Sequence, residues 1–331
     1  MVRTRVHPPA PYSALHVTGP GDTDVVLIAI EASEAAPHAV VDGTARHYPV
    51  RSGTGKGYLS EAEIADWYGR RFRRIADQDA RTAELRAAAV PAELLDGDGA
   101  WLVVTLAPAR TGNSRLRPTD VERYRELLKS RNLRRFVDDQ RLPWNLRVGH
   151  RSLIASDYGD TPQQRAVLAV DGSGSAAYRW DGRSDGTVAH SLPHLTAELF
   201  WLLATLVAHA TERGAAGTAT VSVEVLARPT ITLKLGTGER GMPSMFVDEI
   251  THAGTTPVSL HTIDIDAVAA STTELLAVVH LLGVDVASIF GHADLPAVTA
   301  AGTIRANKLG GPGDRANVES WAARHGVGIE P

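Results

Sequence analysis

Residues 192–210 read LPHLTAELFWLLATLVAHA and decide the class of the larger part of this 331-residue chain. Apolar side chains recur over most of the circumference of a helix, and Pro193 lies in the first turn, where its missing N–H costs nothing. His194, Glu198 and His209 interrupt the segment, and a bilayer span needs about 20 nearly uncharged residues. The stretch therefore predicts a helix buried at the centre of a folded domain.

Runs rich in β-branched and other apolar residues surround this helix and predict the strands of a mainly antiparallel sheet. They lie at residues 101–106, 151–155, 165–170, 176–180, 218–226, 230–235 and 258–265. Three further helices are predicted to begin near residues 118, 272 and 314, the first of them with a capping box. Residues 100–331 are therefore expected to form one α+β domain.

The first 90 residues predict a smaller unit of strands followed by a helix. Strands are expected at residues 14–17, 25–30, 38–41 and 46–50, the last two joined by the tight-turn pair Asp42-Gly43. A capping box formed by Ser60 and Glu63 then predicts a helix that continues towards residue 89. Pro91 and the sequence DGDG at residues 96–99 break the pattern and predict the domain boundary.

Two motifs in this smaller unit carry a resemblance. HYPVRSGT at residues 47–54 and YLSEAEI at residues 58–64 follow a strand at residues 25–30 and a Pro-His turn at Pro37. In order and spacing, residues 12–75 resemble the second half of the Schlafen/AlbA-type DNA-binding domain of bacterial proteins. The resemblance implies a nucleic-acid-associated role in transcriptional regulation.

The resemblance covers under a quarter of the chain. The family's first half, with its acidic, aromatic and lysine-containing stretch, is expected before Leu15, and Met1 leaves no room for it. Relatives that cut RNA take their catalytic carboxylates from that first half. No nuclease residue is therefore transferred to this chain, which is expected either to be a truncated relative or to receive the strands from elsewhere.

Residues 51–57, RSGTGKG, have the composition of a phosphate-binding loop. Glycines let backbone N–H groups converge, and cations and hydroxyls complete such a site. The N-terminus of the helix that begins near Ser60 would place the positive end of its dipole close to a bound phosphate. The arginines within this helix could extend the phosphate-binding site. The candidate phosphate-binding residues here are Arg51, Ser52, Gly53, Thr54, Lys56, Arg70, Arg71 and Arg74. The alternative is a flexible turn beside a solvated helix face.

A second basic region spans residues 110–151, where twelve Lys or Arg stand against five Asp or Glu, a surplus of seven. Arg134 and Arg135 are its candidate nucleic-acid contacts. Tyr124, Phe136 and Trp144 lie between the cations and could stack on bases if exposed, although such aromatics are more often core. A solvated basic face is the competing interpretation.

Composition restricts the remaining function classes. The chain has no cysteine, which excludes disulfides and thiolate zinc sites and favours the cytoplasm. A net charge of -4 confines any nucleic-acid role to a local patch, and the N-terminus lacks the apolar stretch of a secretory signal. The Gly55-Lys56 pair is followed by Gly57 instead of Ser or Thr, so ATP binding at a P-loop is not expected.

The histidines and serines do not predict a catalytic or metal site. His190 and His194 have helical metal-ligand spacing, but Pro193 between them places His190 outside the helix. His261 is expected on the strand face opposite Asp264 and Asp266. The sequence GHAD at residues 291–294 is typical of a hydrogen-bonded turn, and no GxSxG elbow is present.

These observations favour a cytoplasmic, non-catalytic DNA- or nucleic-acid-binding regulatory protein without cofactor, metal or membrane partner, and with a homo-oligomer as an open possibility. The alternatives are an ATP-binding or nuclease-like enzyme whose site needs a missing N-terminal segment, and a protein-interaction scaffold. The ligand of residues 100–331 is not encoded in any readable motif.

Overall fold

The computed structural model describes residues 5–10, 12–19, 23–30, 33, 35–52, 55–95, 97–112, 118–129, 145–157, 162–237, 250–308 and 312–330. The chain divides into two compact units, unit 1 (Met1–Ala80) and unit 2 (Arg81–Pro331). The division falls ten residues before Pro91, where composition placed the boundary. Helices and antiparallel strands are both abundant, which confirms the α+β class.

The described part of unit 1 consists of short strands followed by the first twenty residues of a long helix. Its elements are β1 (Val6–His7), β2 (Tyr12–Gly19), β3 (Thr23–Ile30), β4 (Ala39–Asp42), β5 (Ala45–His47), β6 (Pro49–Ser52), β7 (Gly55–Tyr58) and α1 (Glu61–Ala89). The strands form a sheet of order β1-β4-β5 and two separate antiparallel hairpins, β2-β3 and β6-β7.

The turn between β4 and β5 confirms the predicted hairpin. Asp42 pairs with Ala45, so Gly43 and Thr44 form a two-residue loop, and Gly43 adopts the positive φ of 60° that such a loop requires. The single strand predicted at residues 46–50 is wrong in extent. It is divided at Tyr48, where the chain changes partner: the Tyr48 carbonyl accepts a hydrogen bond from the Leu59 amide at 2.9 Å, in register with the β6-β7 pairing and not with β4-β5.

The capping box at the start of α1 is also confirmed. The Ser60 backbone N–H donates to Glu63 Oε2 at 2.8 Å, and the Glu63 N–H donates to Ser60 Oγ at 3.4 Å. The backbone N–H and the hydroxyl of Ser60 both donate to the Glu63 carboxylate, and these two hydrogen bonds lower its pKa. The helix therefore begins where the sequence predicted.

Unit 2 contains the end of α1 and the larger sheet. Its further elements are α2 (Ala92–Leu95), β8 (Ala100–Arg110), α3 (Pro118–Lys129), β9 (Asn145–Gly149), β10 (Ser152–Ser156), β11 (Gln164–Ala169), β12 (Gly174–Trp180), β13 (Thr187–Ser191), α4 (Leu192–Glu212), β14 (Ala216–Leu226), β15 (Thr232–Gly236), β16 (His252–Ala253), β17 (Ser259–Asp264), α5 (Ile265–Ala270), α6 (Thr272–Ile289), β18 (Ile304–Arg305), a 3-10 turn (Ala306–Lys308), α7 (Pro312–His325) and β19 (Ile329–Glu330).

Seven of these strands form one antiparallel sheet of order β17-β14-β8-β12-β11-β10-β9. The predicted meander is present as β10, β11 and β12, which pair consecutively. The run predicted at residues 230–235 is a strand, β15, but it belongs to a separate sheet, where it pairs in parallel with β13 and antiparallel with β16.

The central strand β8 is buried on both faces. Its side chains alternate between the main core, which contains Leu102 and Val104, and a second cluster, which contains Trp101 and Val103. Such two-sided burial explains why β8 is continuously apolar instead of alternating with polar residues. The second cluster also contains Leu85, from the part of α1 in unit 2.

The helix predicted from residues 192–210 is confirmed as α4, and nearly all of its residues are buried against the sheet and α6. Ser191 caps it, and Pro193 lies in its first turn as predicted. By length and composition α6 could cross a bilayer, but 39% of it is buried within the protein, and a core helix meets the same criteria. It continues seven residues beyond the predicted end at residue 282.

Candidate functional site

The residues predicted to seat a phosphate lie on the hairpin β6-β7. Arg51 pairs directly with Lys56 across this hairpin, and both side chains are exposed. Directly opposed residues of an antiparallel pair project from the same face. The hairpin therefore brings the two cations together on one solvent-exposed face.

A tyrosine that sequence reasoning did not assign to the site shares this face. Tyr58 lies two residues after Lys56, is 57% exposed, and has the Lys56 ammonium 5.3 Å from its ring centroid. The His47 ring is 5.6 Å from the Tyr58 ring. The strand alternation of Lys56 and Tyr58 is the signal that could have identified it. We call Arg51, Lys56 and Tyr58 the cationic face.

The geometry around the glycines differs from the predicted cradle. Ser52 pairs with Gly55 and Val50 pairs with Gly57, so these residues belong to a regular antiparallel ladder. Backbone amides of a ladder are shared between the strands and do not converge on one anion. Of the remaining predicted seat residues, Gly53, Thr54 and the Ser52 side chain lie outside the described residues.

The arginines of α1 contact their own unit. Arg70 forms an ion pair with Asp66 at 2.7 Å, and Arg71 donates to the Ala35 carbonyl at 3.1 Å. Arg73 donates to the carbonyl of Gly69 one turn earlier, at 3.3 Å. The Arg74 side chain lies outside the described residues. Each of these three described arginines therefore has a partner within unit 1. The sequence had instead predicted that the helix arginines extend a phosphate-binding site.

The N-terminus of α1 is occupied by its own acidic side chain. The Glu63 carboxylate accepts hydrogen bonds from both the backbone N–H and the hydroxyl of Ser60, each at 2.8 Å. A carboxylate at this position interacts favourably with the positive end of the helix dipole. The sequence analysis had expected a phosphate to bind at this helix end. The proposed anion contacts are therefore the exposed cations of the hairpin, and not this helix end.

The second basic region falls partly outside the described residues. Arg134 and Arg135, with Phe136 and Trp144, are in this undescribed part. Tyr124 is fully buried, so the condition for stacking on bases is not met and the core interpretation of this aromatic is confirmed. Its inward position follows from its place on the apolar stripe of α3.

Tyr124 belongs to a buried polar network in unit 2. Its hydroxyl lies 2.6 Å from His209 Nδ1 and accepts a hydrogen bond from Arg213 Nε at 2.9 Å. His209 Nε2 is 2.8 Å from the carbonyl of Ala169 and therefore carries the ring proton. Nδ1 of the neutral ring then accepts from Tyr124, and each group has a partner.

Burial determines the protonation of this network. Desolvation lowers the pKa of His209 to about 4 and raises that of Tyr124 to about 12. Both groups are therefore neutral near pH 7. Because Tyr124, His209 and Arg213 are all buried, the network joins α3 and α4 to the turn between β11 and β12.

The other polar clusters have structural partners too. The buried Glu198 carboxylate accepts from Trp180 Nε1 at 2.7 Å and from His190 Nε2 at 3.0 Å. His190 lies on β13, outside α4, as predicted. Within the described residues, no group of three or more acidic or histidine side chains is arranged to hold a metal ion.

The C-terminal candidates are similarly engaged. His261 contacts Asp285 on α6 at 2.6 Å, while Asp264 caps α5 and Asp266 accepts from the Gly217 N–H at 2.9 Å. In the GHAD turn, His292 Nε2 donates to the carbonyl of residue 235 at 2.7 Å. These contacts account for each side chain without a catalytic role.

A cavity of about 540 Å³ is the second candidate site, and it lies wholly in unit 2. Its apolar wall includes Phe200, Leu275 and Trp321, the last two from different helices. Arg123 and Glu212 form an ion pair at 2.6 Å on its rim. The remaining lining residues are Leu127, Ala204, Val207, Ala208, Thr211, Val268, Ala269, Thr272 and His325.

The electrostatics of this cavity are close to neutral. The charges of Arg123 and Glu212 compensate each other, and desolvation lowers the pKa of His325, which favours its uncharged form. Its volume is that of a small-molecule site, and its lining combines apolar side chains with polar groups to a similar extent. The cavity therefore suits an uncharged molecule that carries both apolar and polar groups.

Comparison of the chain with protein-family models, with curated proteins and with solved structures finds no match. The functional conclusions consequently depend on the residues of the hairpin and of the cavity.

Proposed function

We propose that this protein is a non-catalytic, nucleic-acid-binding regulatory protein of the cytoplasm, and that unit 1 is related to the second half of the Schlafen/AlbA-type DNA-binding domain. The observation that supports this proposal most strongly is the cationic face, where Arg51 and Lys56 are directly opposed beside the exposed Tyr58 ring. Two adjacent cations can contact successive phosphates, and an aromatic ring beside them can stack on an unpaired base.

Charge supports the same assignment. Residues 39–58 contain three basic side chains, Arg46, Arg51 and Lys56, against one acidic side chain, Asp42. This local surplus of two contrasts with the net charge of -4 for the whole chain. Because affinity for nucleic acid follows the local number of phosphate contacts, a small patch predicts weak, salt-sensitive binding.

The test is a titration of labelled duplex DNA, single-stranded DNA and single-stranded RNA with the full chain at about 50 and about 200 mM salt, where phosphate-mediated affinity falls steeply. We expect micromolar binding that weakens with salt. Replacing both cations (Arg51→Ala with Lys56→Ala) should weaken binding and reduce the slope of log affinity against log salt by about two.

The matched control removes two exposed arginines of unit 2 (Arg183→Ala with Arg324→Ala) and should leave affinity within twofold of the wild type. Tyr58→Ala should weaken binding of single strands more than binding of duplex, because only unpaired bases can stack on the ring. Absence of binding at low salt, or equal weakening by the two double variants, would refute the proposal.

A second function is favoured by the cavity of unit 2. We propose that it binds an uncharged small molecule with both apolar and polar groups, which would make unit 2 the sensing part of a regulator. Support comes from its volume of about 540 Å³, its aromatic wall and its compensated rim charges.

An uncharged fluorescent probe such as N-phenyl-1-naphthylamine tests this second function. Ala208→Phe introduces a ring at a half-buried lining position and should abolish the fluorescence increase, whereas Ala301→Phe at an exposed position outside the cavity should preserve it. Probe binding that is unchanged in Ala208→Phe would assign the signal to another surface.

A further inference from the structure

The hairpin β2-β3 is the most exposed apolar feature among the described residues. Its exposed large apolar side chains are Tyr12, Leu15, Val17, Val25, Val26, Leu27, Ile28 and Ile30. Soluble proteins scatter such residues singly, and a contiguous group marks an interaction surface. We refer to this element, residues 12–30, as the apolar hairpin.

Both faces of the apolar hairpin share this character. Leu15 pairs with Leu27 and Val17 with Val25 on one face, and the neighbouring pairs, which include Val26 and Ile28, project from the other. Strands that are apolar on both faces normally lie inside a larger sheet. The sequence of this hairpin is therefore that of an interior element.

The outer edge of β3 is open among the described residues. The sheet contains β2 and β3 alone, and β3 reads TDVVLIAI, without proline and with one charged residue. Natural edge strands usually carry lysine, proline or a bulge, which block pairing with another chain. In β3 none of these devices is present, so its edge is suited to accept a strand.

We propose that the edge of β3 pairs antiparallel with β3 of a second copy of this chain, so that two apolar hairpins form one four-stranded sheet. The partner strand must be as apolar and uncharged as β3, and the same strand of a second copy meets that requirement. Identical strands related by a twofold axis are complementary to each other, because each residue pair occurs twice.

The single charge of β3 agrees with the antiparallel arrangement. Asp24 lies at the beginning of the strand, where it contacts His16 at 3.3 Å and accepts from Thr18 at 3.4 Å. Antiparallel pairing places the two Asp24 carboxylates at opposite ends of the interface. Parallel pairing would place them side by side, and like charges directly opposed destabilise a sheet.

The available area indicates a modest affinity. Pairing through the edge of β3 covers only the outer side of that strand and leaves both faces of the sheet exposed, so the buried area is well below the ~800 Å² per partner of a standard interface. Interfaces at the small end of this range form reversibly. We expect a dissociation constant in the micromolar range.

The first test is light scattering of the full chain from about 1 to about 200 µM, a range that brackets a micromolar equilibrium. The mass should rise from 35.3 kDa towards twice that value. Ile28→Lys should abolish the rise, whereas Val148→Lys should not. The two positions are matched, since they are 62% and 67% exposed and Val148 lies on β9, an edge strand of unit 2.

Single cysteines supply a second test that a change in folding cannot mimic, because the natural chain contains none. Oxidation of Val26→Cys, Leu27→Cys and Ile28→Cys should give a disulfide dimer at one or more of these central positions. Ile30→Cys should give little, because antiparallel pairing separates the two copies of residue 30 by on the order of 20 Å.

Random collision predicts the opposite order, since Ile30 is the most exposed of these side chains at 74%. Yields that follow exposure, equal yields along the whole strand, or a monomer at every concentration would overturn the proposal. Retention of the dimer in Ile28→Lys would also contradict it.

Discussion

Strands β3 and β8 have similar sequences and opposite surroundings. VVLIAI in β3 and AWLVV in β8 are both continuously apolar. Strand β8 is flanked by β14 and β12 and is covered on both faces, whereas β3 has one neighbour among the described residues and is exposed on both faces. The same apolar pattern is therefore buried within unit 2 and left exposed within the described part of unit 1.

The largest expected effect contrasts one leucine from each strand. Leu102 of β8 is fully buried, whereas Leu27 of β3 is 54% exposed. Leu102→Ala should reduce the free energy of unfolding by about 2–5 kcal/mol, because it removes buried methyl groups and leaves a cavity. Leu27→Ala, measured in dilute monomeric protein, should change it by less than about 0.5 kcal/mol.

Urea denaturation followed by tryptophan fluorescence measures this difference, since five of the six tryptophans lie in unit 2. Comparable losses in the two variants would mean that β3 is as well packed as β8, and the contrast between the two strands would disappear.

The next effect concerns pH and unit 2 alone. The pKa of His209 is about 4 in the folded protein against about 6.5 for an ordinary histidine, so the unfolded chain binds a proton that the folded chain does not. The free energy of unfolding should therefore fall by about 3 kcal/mol as pH decreases from about 6.5 to about 4, and then level off.

His209→Gln retains a donor and an acceptor without a titrating ring, and serves as the control. Unfolding measured at intervals across this pH range should show a shallower decrease in His209→Gln than in the wild type. Identical pH profiles would show that another group is responsible.

A smaller effect tests whether the buried network stabilises unit 2. Tyr124→Phe removes the hydroxyl that contacts His209 and Arg213, and leaves buried polar atoms without that partner. The expected loss is about 1–3 kcal/mol in urea denaturation. Tyr58→Phe, which removes an exposed hydroxyl in unit 1, should be neutral, and an equal loss there would be inconsistent with the contrast between the units.

The smallest effect belongs to unit 1. Ser60→Ala removes one half of the capping box and should destabilise the start of α1 by about 1 kcal/mol. Amide hydrogen exchange in the first turn of α1 should accelerate roughly fivefold, which is the same energy expressed as a rate ratio. Unchanged exchange there would indicate that contacts within unit 1, and not the cap, fix this helix end.

Much of the fold could be predicted because local rules determine it. The α4 helix follows from its apolar circumference and Pro193, the start of α1 from Ser60 and Glu63, and the β4-β5 turn from Gly43. Each of these signals depends on neighbouring residues in the chain, so no long-range contact was needed to interpret it.

Pairing between distant strands could not be predicted in the same way. The placement of β15 beside β13 and the division of residues 46–50 at Tyr48 both depend on partners far apart or on a competing hydrogen bond. Periodicity reports which face of a strand is apolar, and it carries no information on which strand lies alongside.

The candidate site was predicted in part for the same reason. Arg51 and Lys56 could be singled out by composition, but their opposition, and the proximity of Tyr58, depend on the register of the hairpin. The partners of the helix arginines, such as the Ala35 carbonyl that Arg71 contacts, could not be read from the sequence.

The central claim is that a second copy of this chain completes the sheet begun by β3. Amide hydrogen exchange of the full-length wild type, measured over a range of protein concentrations, tests it most directly. The amides of residues 25–28 that point away from β2 should become more protected as concentration rises, while those of β8 stay equally protected throughout. Exchange in β3 that is independent of concentration, whether fast or slow, would contradict the claim.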